Sequence, residues 1–226
     1  MSRNVQFSEG EFYHIYNRGV EKRKIFLDQE DYQRFIRLLY VANSSKSVHL
    51  SNFKDALLLE IPKGDSVTAI GAWCLMTNHF HLLLKETKEN GISEFMQKLL
   101  TGYTMYFNKK YKRKGVLFEG VFSAKHLDTD NYLKYQYAYI HLNPISIVDS
   151  GWKEKKVTDH KKALDFLNSY KYSSFYDYSG NEREEKVIIS TKVFPEYFET
   201  LNDFKDMIKE WINFDSDSRS FIKAKP

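Results

Sequence analysis

His79 and His81 stand one residue apart in the stretch MTNHFHLLL (76–84), with Phe80 between them and leucines behind. In an extended chain, residues i and i+2 project to the same side. The two imidazoles therefore emerge together while Phe80 turns into the core. Two neutral imidazoles held in this way can bind one divalent cation. A cation on two histidines needs a further ligand and something to act upon, and YLKYQYAYIHLNP (132–144) supplies candidates for both. Tyr135, Tyr139 and Asn143 lie at i, i+4 and i+8, on one face of a helix. A phenol is a competent nucleophile towards a phosphodiester when a cation polarises the phosphate. An amide oxygen one turn away is a suitable ligand for Mg²⁺ or Mn²⁺. The plain alternatives are two polar residues on a solvated sheet face and an aromatic helix stripe that builds core.

Positioning these groups requires a sheet and a helix, and the chain reads that way. GEFYHIYNRG (10–19) is aromatic and β-branched, a strand closed by Gly19. In DQEDYQRFIRLLYVANSS (28–45), Tyr32, Phe35, Ile36, Leu38 and Leu39 recur at helical spacing behind an acidic start. Residues 43–65 read as a loop with a short insert. Strands follow at 66–77 and 79–86, with only Asn78 between their cores. A long helix is expected over 89–115, capped by Ser93 and ended by Gly115, then a fourth strand over 116–127. A further helix spans 128–144, capped by Asp128 or Thr129 and stopped by Pro144. The order β-α-β-β-α-β-α is that of an α+β chain. Its first six elements match a ferredoxin-like, RRM-like antiparallel sheet with helices on one face, and the tyrosine-bearing helix is extra. Residues 1–148 read as the catalytic unit. Residues 149–226 read as a mostly helical extension of unassigned role, with a helix and a Ser/Tyr-rich loop over 159–180, a helix over 194–214 and a frayed end.

The chain has 226 residues, 42% of them hydrophobic, enough for a substantial core. Aromatics reach 16%, including 17 Phe and 16 Tyr, which provides for packing and for contact with flat ligands such as bases. The single cysteine, Cys74, excludes an internal disulfide and a cysteine-based zinc site. No apolar leader opens the chain and no apolar run approaches about 20 residues, so the expected location is cytoplasmic. The net charge is only +4, but residues 91–125 carry seven cations against two acids, a local net of +5. Most of it lies in NKKYKRKG (108–115) as Lys109, Lys110, Lys112, Arg113 and Lys114, with Lys125 beyond. Cations interleaved with tyrosines suit a nucleic-acid backbone with unpaired bases stacked beside it. NRGVEKRK (17–24) forms a second patch, in which Arg18, Lys22, Arg23 and Lys24 are candidates for phosphates or base edges.

The combination of TNHFHLLL, GVLFEG and the helix end YIHLNP resembles the single-tyrosine transposases of the HUH endonuclease superfamily. More narrowly, it is similar to the REP-associated tyrosine transposases, relatives of those in the smallest bacterial insertion sequences. The likeness runs over residues 12–148. It implies that His79 and His81 are metal ligands, that Tyr139 is the nucleophile and that Asn143 completes the metal site. It also implies Mg²⁺ or Mn²⁺ as cofactor, single-stranded or hairpin DNA as partner, a homodimer in some relatives, and cleavage through a covalent 5′-phosphotyrosine with a free 3′-hydroxyl. Two departures each remove a positive charge: Val121 stands where relatives often have arginine, and NPISIVDSG (143–151) replaces NPVRAG.

Other titratable residues read as subordinate. His14 can face the same sheet surface as the histidine pair, and His126 lies near the tyrosine helix. His141, two residues past Tyr139, faces the other way. Tyr135 is the second choice as nucleophile, while Glu11, Glu119 and Gln136 are outer-shell candidates. Trp73 and Phe118 read as core. The rival reading is a non-catalytic or domesticated nucleic-acid-binding protein built on an RRM-like sheet.

Overall fold

The computed structural model describes residues 5–152, 157–198 and 200–213. Four strands, β1 (Phe12–Arg18), β2 (Thr68–Met76), β3 (His79–Glu86) and β4 (Ser123–His126), form an antiparallel sheet in the order β2-β3-β1-β4. Two helices are inserted between them, α1 (Gln29–Ala42) and α2 (Gly91–Lys110), and α3 (Asp130–Leu142) follows β4. This is the expected ferredoxin-like α+β arrangement with its additional helix. A one-turn helix α4 (Ile145–Val148) follows α3, and the predicted helix-then-loop and the last helix of the extension are present as α5 (His160–Ser169) and α7 (Leu201–Asn213), with a one-turn helix α6 (Phe175–Tyr178) between these two. The expectation of a frayed end falls on residues outside the described ones.

Alternation along the strands divides the sheet into two unlike faces. Tyr13, Ile15, Phe80, Leu82 and Leu84 point to one side and build the largest core with α1 and α2, among them Phe35, Leu39, Phe95, Leu99 and Tyr103. Ala69, Cys74, Met76 and Leu83 point to the other side, beneath Leu133, Tyr137 and Ile140 of α3. A third cluster joins Ala138 and Leu142 of α3 to Trp152, Leu167, Phe175, Phe204 and Ile208. The tyrosine helix is thus clamped between the sheet and the C-terminal elements.

Helix ends depart from the expected boundaries for identifiable reasons. α2 starts at Gly91, not at a Ser93 cap. A Cβ on Gly91 would lie 2.0 Å from the Val67 carbonyl oxygen, so only glycine fits the approach. The buried Glu86 carboxylate accepts from Ile92 N–H at 2.7 Å and serves as the missing cap. α2 ends at Lys110, short of Gly115, because Lys112 adopts a left-handed conformation (φ 51°). The fourth strand covers only the last part of its predicted span. Gly120 sits at φ 61° and breaks the ladder, while Leu117, Phe118 and Phe122 plug into the main core. Thr129 caps α3 by accepting from Tyr132 N–H at 3.2 Å, and Asp28 caps α1 within a capping box closed by Asp31.

The outer edge of β2 is covered by the C-terminal elements. Leu75 N–H donates to Tyr172 O and Ser174 N–H to Trp73 O, both at 2.9 Å, and Ser190 N–H donates to Ile70 O at 2.8 Å. Arg183 fastens this cover, donating to both oxygens of Asp177 at 2.7 and 2.6 Å while its guanidinium lies over the Trp73 ring.

Candidate functional site

The β1–β3 register places Tyr16 opposite His81 and Arg18 opposite His79, and the β1–β4 register places His14 opposite Lys125. Directly paired residues share a face. His14, Tyr16, Arg18, His79, His81 and Lys125 therefore all rise from the face that α3 covers in part. The His79 and His81 rings are 5.0 Å apart, nearly perpendicular. His81 is buried and His79 half-buried.

Tyr139 comes to this same place. Its ring stands edge-on to His81 at 5.6 Å and to His14 at 6.0 Å, and it is half-buried. Tyr135 (5.8 Å) and Trp152 (6.4 Å) flank it, and Tyr135 is in turn backed by Trp211 of α7 at 5.2 Å. The structure thus brings Tyr139, far along the sequence, to the His79–His81 pair within one chain. Asn143 is fully buried at the end of α3, where its Nδ2 donates to the Tyr139 carbonyl at 2.6 Å. Tyr135 is buried, and so is Tyr137, which packs against Phe194 and Tyr178.

Two residues beside the pair carry more than the sequence suggested. His14 is buried, and its Nε2 lies 2.8 Å from His81 Nδ1. Asn78, which separates the cores of β2 and β3, has its Oδ1 2.6 Å from His79 Nδ1. The available signals were strand parity for His14 and adjacency for Asn78; neither reveals a hydrogen bond. His126, by contrast, pairs with Glu11 at 2.7 Å, and Glu119 with Arg18 at 2.8 Å. His141 is fully buried against Ser174 Oγ at 2.8 Å, and desolvation drives its pKa down to about 3. Gln136 is buried, and Trp73 and Phe118 are core residues as expected.

The two basic patches form one surface. Val20 N–H donates to Leu117 O at 2.9 Å and Glu119 N–H to Arg18 O at 2.8 Å, which zips the loop after β1 to the loop after α2. Lys22, Lys24, Lys109, Lys112, Lys114 and Lys125 are exposed. Arg23 lies 3.5 Å from Glu21, and Arg113 donates to Asn108 Oδ1 at 2.9 Å. Desolvation lowers the Arg113 pKa, and the Arg23 guanidinium lowers it further, so the two loops face each other with like charge. Lys110 behaves differently from its neighbours. Its ammonium is held by Asp28 at 2.8 Å and by Glu30 and Asp31 at 3.0 Å, with Tyr106 Oη beside it. Desolvation opposes that charge, but the hydrogen-bonded carboxylates prevail and raise the Lys110 pKa. Its charge is committed to joining α1 and α2.

Among the described residues, no group of three or more His, Cys, Asp or Glu is arranged to hold a metal ion. Two neighbouring imidazoles fit a divalent cation whose remaining positions are filled by oxygen donors, the pattern of an open catalytic site rather than a closed structural one. No helix among the described residues is long and apolar enough to cross a membrane.

A family model described as "Transposase IS200 like" matches residues 12–143, more than half of the chain. Among solved structures, the chain is similar to that of a REP-associated tyrosine transposase bound to a REP hairpin, with 15% identity and a TM-score of 0.49, over 82% of this chain and 90% of that one. No curated protein matches the chain.

Proposed function

The chain belongs to the IS200-like transposase family, and we propose that it cuts and rejoins single-stranded DNA at or near hairpins through a covalent bond between Tyr139 and a 5′-phosphate. The observation that supports this reading most directly is the approach of the Tyr139 ring to His81, 5.6 Å between centroids within a single chain. In this reading His79 and His81 hold Mg²⁺ or Mn²⁺, with the Asn143 amide oxygen as the further protein ligand. When bound, the cation supplies Lewis-acid polarisation of the scissile phosphate.

The chain's own residues do the rest. Tyr139 oxygen attacks phosphorus in line, the bond to the 3′-oxygen breaks, and that oxygen takes up a proton as the phenol's proton is lost to solvent. The phosphotyrosine bond keeps the energy of the broken diester, so a free 3′-hydroxyl can reverse the attack and join strands without ATP. In-line attack requires the phenol within about 3–3.5 Å of phosphorus. The packing of α3 between the sheet and Trp152, Leu167, Phe175, Phe204 and Ile208 supports that demand. We accordingly read residues 1–148 as the catalytic unit and residues 149–226 as a brace for its tyrosine helix.

DNA would lie across the joined basic loops, meeting Arg18, Lys22, Arg23, Lys24, Lys109, Lys112, Arg113, Lys114 and Lys125. Lys110 stays outside that set because three carboxylates already hold it. The test is a denaturing gel of protein incubated with hairpin-bearing single-stranded oligonucleotides and Mg²⁺ or Mn²⁺. A covalent adduct is expected from the wild type and from neither Tyr139→Phe nor His79→Ala. DNA binding without an adduct, over varied hairpins and both ions, would favour the non-catalytic binding reading instead.

A further inference from the structure

Both imidazoles of the pair are held at the same ring nitrogen, Nδ1. Asn78 Oδ1 lies 2.6 Å from His79 Nδ1, and His14 Nε2 lies 2.8 Å from His81 Nδ1. The orientation of the Asn78 amide is set independently. Its Nδ2 donates to the Lys22 carbonyl at 3.1 Å, and a carbonyl can only accept. The oxygen of Asn78 must therefore be the atom facing His79. An amide oxygen also only accepts, so neutral His79 carries its proton on Nδ1 and its lone pair on Nε2. Asn78 itself is held in place: Gly19 N–H donates to its carbonyl at 2.8 Å, and Ile25 N–H to that of Thr77 at 2.9 Å.

His14 Nε2 meets His81 Nδ1 at 2.8 Å, a contact in which either ring nitrogen can donate. His14 is 4% exposed, and its ring lies 5.0 Å from that of His81, inclined by 22°. Its neighbours Tyr13 and Ile15 fill the core on the opposite face, so His14 is turned towards the site side of the sheet. A neutral imidazole has one donor and one acceptor nitrogen. With Nε2 as acceptor, His14 takes the Nδ1 proton of His81 and leaves the lone pair of His81 on Nε2.

We propose that Asn78 and His14 are positioning residues that fix His79 and His81 in the Nδ1–H tautomer and so present both Nε2 atoms to the cation. The inference rests on the metal reading above and deepens it. Partners that accept the second ring N–H of a ligating histidine orient the ring and raise its basicity, and their loss typically weakens metal binding about 10–100-fold. The Asn78–Lys22 bond also ties the orientation of His79 to one of the basic loops.

Two measurements test this. Long-range ¹H–¹⁵N correlation of the metal-free wild type is expected to report the Nδ1–H tautomer at both neutral His79 and neutral His81. An Nε2–H tautomer at either ring overturns the proposal. Titration calorimetry with Mn²⁺ alone is expected to show about 10–100-fold weaker binding for His14→Phe and Asn78→Ala, partly restored in His14→Gln and Asn78→Asp, which bring back an acceptor oxygen. Wild-type affinity in folded His14→Phe and Asn78→Ala overturns the proposal, as does equal weakening in the restoring variants. His81→Ala separates the two levels. If it loses Mn²⁺ while His14→Phe and Asn78→Ala do not, this inference alone fails. If the wild type binds no Mn²⁺, the metal reading fails with it. The tautomer measurement needs no variant and stands even if one of them does not fold.

Discussion

The two faces of the sheet share the same strands yet differ in almost every property. On β3, Phe80, Leu82 and Leu84 point beneath α1 and α2 into an apolar core, while His79 and His81 point the other way, towards Tyr139. On β1, Tyr13 and Ile15 are core, while His14 and Tyr16 stack beside His81. A two-residue period lets one strand anchor itself on one side and present chemistry on the other. The strands that carry the site are thus anchored by side chains on their opposite face.

The sharpest test of that division removes one atom from the reactive side. Tyr139→Phe is expected to reduce covalent product by more than about 10³-fold on denaturing gels, with the thermal midpoint within a few degrees of wild type. The converse experiment empties the anchoring side. Phe80→Ala is expected to destabilise the protein by about 3–5 kcal/mol in denaturant titrations. His79→Ala, one position away on the half-buried reactive side, is expected to change stability by less than about 1 kcal/mol while abolishing the adduct. Equal stability losses at 79 and 80 would break the comparison.

A smaller effect separates Lys110 from its neighbours. Asp31 is 0% exposed, so Lys110→Met removes the cation facing a buried carboxylate, which keeps its hydrogen bonds from Leu27 N–H, Tyr106 and Tyr111, and is expected to cost about 3 kcal/mol. Lys112→Met is expected to stay within about 0.5 kcal/mol. The pH dependence of stability probes the buried side of α3. Because the folded pKa of His141 lies near 3, below its ordinary value of 6.5, the unfolded chain takes up the proton first. Its contribution is complete above about pH 6.5 and is lost as pH falls towards 3, at no more than about 1.4 kcal/mol per pH unit. His141→Gln is expected to flatten chemical denaturation midpoints in that window. The smallest change is in salt dependence: removing Lys112 and Lys114 together should reduce the slope of log affinity against log salt by about 1.5, with no loss of stability.

Much of this was legible in the chain. The strand at 79–86, the parity of its histidines, the β-α-β-β-α-β-α order and the helical face shared by Tyr135 and Tyr139 all follow from local periodicity, and the structure agrees with each. What escaped depends on contacts between elements. Lys110 reads as one more cation in NKKYKRKG, and only the packing of α1 on α2 delivers three carboxylates to it. His14 has the right parity, but parity does not place it 2.8 Å from His81. Ser93 has the right chemistry for a cap, yet Glu86 from a neighbouring strand takes that role. The span 116–122 has strand composition, but Gly120 turns it into a plugged loop.

The cover over the free edge of β2 has a consequence for self-association. An open outer strand is a template on which a second chain can add its own strand. Here Ile70, Trp73 and Leu75 already have backbone partners from Ser190, Ser174 and Tyr172, and Arg183 locks that segment down. At the opposite margin lies β4, only four residues long. Two copies of this protein would therefore not meet by extending one sheet into a continuous eight-stranded one through β2.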